Sequence, residues 1–136
     1  MNQATPIVDK VAWTPIRGRR ILFARSRGQE LFYCAGGNRE PGESDCEALI
    51  RETLEETKVR LLPETIEHVV TLEGPAHNRP PGTILKMACY RAEGDREPLP
   101  AAEVEELAWF TSADGHRTTE MGRIILDWFR EHDLID

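Results

Sequence analysis

The alternation of apolar and polar residues along the chain predicts mostly short strands. Six segments with strand composition are separated by turns rich in glycine and proline: residues 7–14, 20–25, 31–35, 66–72, 83–91 and 104–111. Within residues 83–91, Leu85, Met87 and Cys89 fall on one face, which is typical of a half-buried strand. The segment 73–82 contains three prolines and two glycines and is predicted to form a loop.

Two other segments have helical periodicity. Ser44 and Glu47 form a capping-box pattern, in which each side chain can accept a hydrogen bond from the backbone N–H of the other residue. This pattern predicts a helix that begins at residue 45 and ends near residue 58. A second, amphipathic helix is predicted near the C-terminus, where apolar residues recur at i, i+3, i+4, i+7 and i+8: Met121, Ile124, Ile125, Trp128 and Phe129.

The order of the predicted elements indicates one α/β domain of the α+β type, covering residues 1–136. A chain of 136 residues suits a single domain, and no repeat or linker-like segment divides it. Most connections between the strands are too short to contain crossover helices. We therefore expect a mixed β-sheet with helices packed on it.

The charge of the chain excludes one class of partner. The formal net charge is −7, whereas a protein that coats a nucleic-acid polymer needs a broad cationic surface. An acidic protein can still bind a small anionic ligand, because a cation held by its carboxylates can receive phosphates.

Cysteine usage and hydropathy predict a cytoplasmic protein. Cys34, Cys46 and Cys89 are odd in number and widely spaced, which is typical of neither a disulfide framework nor a zinc site. The first ten residues lack the apolar stretch of a signal peptide, and no apolar run approaches the ~20 residues that span a bilayer. We expect no association with a membrane.

Three glutamates gather on one side of the predicted helix 45–58. At about 100° per residue, Glu52, Glu55 and Glu56 fall on one arc beside the apolar face. Like charges at i and i+4 repel each other, and a hard divalent cation such as Mg²⁺ would turn this repulsion into coordination. The alternative is a solvated helix whose glutamates pair with arginines such as Arg51.

The loop before this helix favours the metal site. Gly36 and Gly37 supply flexible backbone close to the start of the helix, and the Pro-Gly-Glu segment 41–43 forces a tight turn into it. A glycine-rich turn followed by a helix that carries carboxylates lets backbone groups approach both a metal and a phosphate ligand.

Between Gly37 and Val59 the chain reads GNREPGESDCEALIRETLEETKV, which resembles the Nudix box. That pattern is Gly, five residues, Glu, seven residues, Arg-Glu, an apolar residue, any residue, Glu-Glu, any residue, Gly and an apolar residue. Seven positions match at this spacing: Gly37, Glu43, Arg51, Glu52, Glu55, Glu56 and Val59. Thr53 replaces an apolar residue, and Lys58 replaces the last glycine, which usually supplies a left-handed turn after the helix.

The resemblance to Nudix hydrolases, and to MutT-like members in particular, implies a fold and a set of metal ligands. The implied fold is an α/β/α sandwich around a mixed sheet, with the box (residues 37–59) as a loop–helix–loop. Glu55 and Glu56 match the main metal ligands, and the Gly36 carbonyl matches a further one. Glu52 matches a ligand or a general base.

Other site residues follow from the same resemblance. Arg51 and Glu43 match residues that orient the site. Glu103 stands where some MutT-type members supply another acidic group from a loop, and Glu105 and Glu106 are alternatives for that position.

Residues outside the box are candidates for binding the substrate. Arg25, at the end of the predicted strand nearest the box, could clamp a phosphate because guanidinium pairs well with it. Arg79 lies in the proline-rich loop 73–82, which is either a specificity element or an ordinary surface loop. Phe32 and Tyr33 could stack on a base or belong to the core.

Together, the residues and the resemblance predict a metal-dependent hydrolase that cleaves a nucleoside-diphosphate-linked substrate with Mg²⁺ or Mn²⁺. The expected substrate is a nucleoside triphosphate, including modified ones. ADP-ribose, nucleotide sugars and dinucleoside polyphosphates are alternatives within the same class. The partner is thus a small nucleotide, and family habit also allows a homodimer.

Two hypotheses belong to other classes. The first is a Nudix-fold module that binds a nucleotide without hydrolysing it; such a module would be expected to have lost box glutamates, and all of them are present here. The second is an acidic helix in an unrelated α+β domain, which predicts no dependence on a metal.

Overall fold

The computed structural model describes residues 5–136, so the first four residues of the domain predicted over 1–136 lie outside it. In the described range the chain forms seven strands: β1 (Ile7–Trp13), β2 (Ile16–Arg17), β3 (Arg20–Ser26), β4 (Gly36–Asn38), β5 (Glu67–Pro75), β6 (Ile84–Arg91) and β7 (Val104–Phe110). The two α-helices are α1 (Asp45–Thr57) and α2 (Glu120–Glu131). Two short 3₁₀ helices, Pro63–Thr65 and Ser112–Arg117, lie between these elements.

The strands form two sheets, one of which is mixed. The four-stranded sheet has the order β4-β1-β6-β5, with β1 parallel to β6 and the other two pairs antiparallel. The smaller sheet has the order β2-β3-β7 and is antiparallel throughout. Strand β1 is therefore central, because it pairs with β4 on one side and with β6 on the other. The predicted mixed sheet is confirmed.

The two α-helices cover opposite faces of the four-stranded sheet. Met87 of β6 belongs to the apolar cluster that contains Ile125 of α2. Its neighbour Ala88 belongs to a second cluster, which contains Leu49 of α1. Successive residues of a strand point to opposite faces, so the two helices lie on either side of the sheet. This arrangement confirms the α/β/α sandwich. Among residues 5–136, no helix is long and apolar enough to cross a membrane.

Helix α1 begins where the sequence predicts. Ser44 is the N-cap, and its side chain and that of Glu47 form both hydrogen bonds of the capping box. The helix ends at Thr57, and Lys58 follows in the left-handed conformation, with φ of 61°. The backbone N–H of Lys58 donates to the Leu54 carbonyl. The left-handed turn that glycine usually supplies is thus kept without glycine, at a conformational cost.

The predicted strand over residues 31–35 is wrong. In its place, Phe32 and Tyr33 form only isolated bridges, and regular pairing starts at Gly36, in β4. Tyr33 pairs with Ala24 of the smaller sheet, whereas Gly36 pairs with the larger one. The segment passes from one sheet to the other, so it does not form one continuous ladder.

Strand β5 extends further than predicted. The composition predicts a loop over residues 73–82, but Glu73–Pro75 pair with β6 as the last residues of β5. Pro75 is tolerated because β5 is an edge strand, where a missing backbone N–H costs no ladder hydrogen bond. The loop between the two strands is therefore shorter than its composition suggests.

Candidate active site

A cavity of about 400 Å³ is lined by residues of the four-stranded sheet, of α1, of α2 and of the loops around residues 29–34 and 76–79. This size is typical of small-molecule sites. Its wall combines an acidic part, two cations and an apolar part. The acidic part is formed by Glu52, Glu56 and Glu103.

Glu56 is the most buried of these carboxylates. The residue is only 3% exposed, and its Oε2 accepts a hydrogen bond from the Gly36 backbone N–H at 3.2 Å. Burial, together with the neighbouring Glu52 and Glu103, raises the pKa of Glu56 to about 8, although the Gly36 N–H and Lys10 act to lower it. Without a cation beside it, this carboxyl group therefore keeps its proton near neutral pH, and a bound cation would favour its ionised form.

Two glycines make room for these carboxylates. A Cβ on Gly37 would lie 2.6 Å from Cδ of Glu52, so this glycine leaves the space in which the Glu52 carboxylate sits. A Cβ on Gly36 would lie 2.0 Å from the Val11 carbonyl oxygen, and Gly36 has φ of 151°. The Gly-Gly pair thus lets β4 pass close to both β1 and α1.

Arg51 holds the acidic part in place. Its Nε and Nη2 donate to the two oxygens of Glu43 at 2.7 and 2.9 Å, and Nη1 donates to Glu52 at 2.9 Å. Nη2 also donates to the Asn38 carbonyl. The bidentate pair and the Glu40 backbone N–H lower the pKa of Glu43 to about 2. Glu43 therefore orients Arg51, which in turn orients Glu52.

Burial also raises the pKa of Glu52, although Arg51 opposes this shift. Glu55 behaves differently from the other two glutamates of α1. Its side chain is 54% exposed, lies 3.6 Å from Nη1 of Arg51 and does not line the cavity. The structure therefore brings Glu52 and Glu56 together with Glu103, and leaves Glu55 outside.

The donors fit a hard divalent cation by their chemistry. Within residues 5–136, no three Asp, Glu, His or Cys side chains already converge as a complete metal site. However, Glu52 and Glu56 put oxygen donors on one wall of the cavity, and Gly37, which has no Cβ, leaves the room that the Glu52 carboxylate occupies there. Mg²⁺ prefers oxygen ligands and keeps several waters, so it needs few protein donors.

The three acidic residues that closely precede Trp109 in the sequence lie in different environments. Glu103 lines the cavity, and its backbone carbonyl accepts a hydrogen bond from the Arg27 N–H. Glu105 and Glu106 instead pair with Arg25, at 3.6 and 3.1 Å.

The two arginines predicted to bind substrate lie in different places. Arg79 lines the cavity. Arg25 does not: its guanidinium pairs with Glu105 and Glu106, donates to the Gln29 carbonyl and lies 5.9 Å from the Phe32 ring centre. These contacts hold Arg25 on a separate, shallow surface depression.

Sequence reasoning missed Lys10. This residue of β1 lines the cavity, and burial together with Arg79 lowers its pKa, against the effect of Glu56 and Glu52. In the sequence, Lys10 follows Val8 by two residues in a predicted strand. Alternate residues of a strand share a face, so the Lys10 side chain is expected on the inward face with Val8.

One part of the cavity wall is apolar. Residues from β1, β6 and α2 form this part: Val8, Leu85, Met87, Met121 and Ile125. Tyr33 also lines the cavity, and its hydroxyl lies 2.6 Å from that of Ser26. Phe32 is only 4% exposed and packs against Phe110, so it belongs to the core.

Comparison with known proteins identifies the family and the fold. The chain matches the model of the NUDIX domain family over residues 9–129. It is similar to the MutT Nudix hydrolase of Burkholderia pseudomallei, with a TM-score of 0.73 and 23% identity over 89% of this chain and 96% of that one. It is also similar to the E. coli dihydroneopterin triphosphate pyrophosphohydrolase, with a TM-score of 0.66 and 18% identity over 89% and 93% of the two chains.

A third similar structure is a bifunctional NMN adenylyltransferase/ADP ribose pyrophosphatase from Francisella tularensis, complexed with AMP and a Mn ion. Its TM-score is 0.68 at 21% identity, over 96% of this chain and 43% of that one. No curated protein sequence matches significantly. The family match spans most of the chain, including α1 and the glutamates of its box. The chain shares its fold with the MutT Nudix hydrolase of B. pseudomallei. It therefore belongs to the NUDIX domain family and is a Nudix hydrolase, an enzyme that cleaves phosphoanhydride bonds.

Proposed function

We propose that this enzyme is metal-dependent and hydrolyses a nucleoside triphosphate to a nucleoside monophosphate and pyrophosphate. One observation carries the proposal: a single cavity holds the carboxylates of Glu52, Glu56 and Glu103 together with the Arg79 cation and an apolar part. A nucleotide has groups that match each of these, with phosphates that bind a metal and cations, and a base that packs on apolar side chains.

The metal in this proposal is Mg²⁺ or Mn²⁺, with Glu52, Glu56, Glu55 and the Gly36 carbonyl as its donors. Glu52, Glu56 and Gly36 line the cavity. Glu55 would have to leave Arg51 to join them. When bound, the metal supplies positive charge that stabilises the charge developing on the phosphoryl oxygens.

A carboxylate must accept the proton of the attacking water. We assign this role to Glu103, with Glu52 as the alternative. Oε1 of Glu52 already accepts a hydrogen bond from Arg51 at 2.9 Å, and Glu52 is also a proposed donor to the metal. Arg25 is paired with Glu105 and Glu106, and Nη1 of Arg27 donates to the Ala102 carbonyl, so neither guanidinium pairs with the Glu103 carboxylate. The Glu103 carboxylate therefore remains available to a water in the cavity.

ADP-ribose forms a second candidate class of substrate, with nucleotide sugars and dinucleoside polyphosphates. The similar F. tularensis protein is named in part as an ADP ribose pyrophosphatase and was solved with AMP and Mn. A nucleotide diphosphate would use the same acidic and apolar parts of the cavity. A module that only binds nucleotides is disfavoured, because Glu52, Glu55 and Glu56 are all present. We further propose that the enzyme acts in the cytoplasm.

Hydrolysis of a substrate panel tests these proposals. Phosphate and pyrophosphate release would be measured from nucleoside di- and triphosphates, dinucleoside polyphosphates, ADP-ribose and nucleotide sugars, with Mg²⁺, Mn²⁺ or chelator. We expect turnover of nucleoside triphosphates that requires the metal and is lost in Glu56→Gln. Glu131→Gln, at the exposed end of α2, is the matched control. Turnover that survives chelator or Glu56→Gln would refute the metal-dependent mechanism.

A further inference from the structure

Lys10 is a charged residue at an inward position of β1. Val8, Lys10 and Ala12 lie on one face of this strand, where Val8 and Ala12 pack in the core cluster beneath α2. In the sheet, Lys10 pairs with Asn38 of β4 and with Met87 of β6. The Lys10 side chain therefore enters the cavity from the centre of the sheet.

The charges that face Lys10 come from two other elements. Glu52 and Glu56 act on it from α1, and Arg79 acts on it from the loop between β5 and β6. Lys10 takes part in none of the ion pairs within 4.0 Å that form among residues 5–136. If Lys10 served only to neutralise Glu56, a direct ion pair between them would be expected, because burial of separate charges is costly.

The cavity thus places two cations, Lys10 and Arg79, close enough to repel each other. Arg79 lowers the pKa of Lys10, which is the electrostatic sign of this repulsion. Two cations that face one cavity without pairing are stabilised by an anion between them. Phosphate is suited to this position because it accepts hydrogen bonds from ammonium and guanidinium groups at once.

We propose that Lys10, together with Arg79, binds a phosphate group of the substrate and is a substrate-binding residue of this enzyme. The naming of that substrate as a nucleotide rests on the function proposed above. The two cations are carried by different kinds of backbone. Lys10 lies in a strand that is paired on both sides, whereas Arg79 lies in a loop. Lys10 therefore provides a rigidly held ammonium group for the phosphates, in the cavity that also contains the carboxylates and the apolar side chains.

Binding of inorganic pyrophosphate to the full chain tests this proposal. Affinity would be measured by calorimetry in Mg²⁺ over a series of salt concentrations. We expect Lys10→Met and Lys10→Gln to bind pyrophosphate about tenfold more weakly than the wild type, with a flatter salt dependence. Lys10→Arg keeps the charge and should stay within about threefold of the wild type.

Lys86→Met is the matched control. Lys86 lies on the adjacent strand β6 next to Met87, so it points to the opposite face and does not line the cavity. This variant should bind pyrophosphate like the wild type, and thermal unfolding would show that each protein is folded. Equal affinity of the wild type and both neutral Lys10 variants would overturn the proposal, as would a wild type that does not bind pyrophosphate. Failure of the proposed function alone would appear as Lys10-dependent binding without hydrolysis of any nucleotide.

Discussion

The Glu52 carboxylate occupies the space that a side chain on Gly37 would need: a Cβ there would lie within 2.6 to 2.8 Å of Cδ and both carboxylate oxygens. Gly37 belongs to β4 and Glu52 to α1, so the contact joins the sheet to the helix. Gly37 is therefore needed because any side chain there would clash with the Glu52 carboxylate, in addition to any need for backbone flexibility.

Gly37→Ala should displace the Glu52 carboxylate and reduce kcat. Misplacement by about 1 Å can cost about a hundredfold in rate, so we expect a loss of this order in nucleotide hydrolysis. Gly115→Ala is the control, because the nearest atom to its added Cβ is Cγ of the flexible Arg123 side chain, at 3.3 Å. An active Gly37→Ala enzyme would show that the position of Glu52 is unimportant.

Glu43→Gln should destabilise the protein in a pH-dependent way. The folded pKa of Glu43 is about 2, below the ordinary carboxyl pKa of 4.5. A lowered pKa stabilises the folded state above the unfolded pKa, and this stabilisation is lost as pH falls from about 4.5 towards 2. Urea unfolding of the wild type and the variant should differ near neutral pH and converge in acid. A difference that does not change with pH would assign the effect to packing.

Glu56→Gln should stabilise the protein in the presence of chelator. The variant removes a buried charge while its side chain can still accept the Gly36 N–H. At pH 9 we expect a Tm higher by about 5 °C, which corresponds to about 1 kcal/mol in a domain of this size. Addition of Mg²⁺ should raise the Tm of the wild type and leave that of the variant nearly unchanged. An identical metal response in both proteins would exclude Glu56 as a ligand.

Arg79→Met and Arg25→Met should separate the two predicted phosphate-binding arginines. Arg79 lines the cavity, so its loss should raise KM about tenfold. Arg25 is held by Glu105 and Glu106 outside the cavity, so its loss should leave KM close to the wild-type value. Steady-state kinetics on the substrate found in the panel would measure both effects. A raised KM for Arg25→Met with an unchanged KM for Arg79→Met would mean that the phosphates bind beside Arg25, outside the cavity.

Lys58→Gly should make the protein more stable. Lys58 has φ of 61°, a conformation that costs a non-glycine residue about 1 kcal/mol, while its backbone hydrogen bond to Leu54 needs no side chain. We expect a gain of about 0.5 to 1 kcal/mol in the free energy of unfolding, measured with urea. A loss of stability would show that the Lys58 side chain makes a contribution larger than the backbone strain.

Much of α1 could be predicted because its determinants are local. The capping box of Ser44 and Glu47 places the start of the helix at the predicted residue. The helical repeat then places Glu52 and Glu56 on adjacent turns of one side, four residues apart. The segment around Phe32 could not be predicted in the same way, because its partners lie in two different sheets.

The choice between neighbouring candidates also depended on distant parts of the chain. Glu103, Glu105 and Glu106 are equivalent in a sequence pattern, and only Arg25, far away in sequence, separates them. Lys10 could not be identified from the sequence, because a single lysine in an apolar strand usually points outwards, to solvent.

The sequence by itself determined the family motif and the relative positions of Arg51, Glu52 and Glu56, because residues a turn apart on one helix keep their spacing in any fold that contains the helix. Only the tertiary structure decided which of these groups share a cavity with Glu103, Arg79 and Lys10. The physical reason is that these residues lie on separate elements, and their distances depend on how β1 pairs with β4 and β6 and on how α1 packs against the sheet.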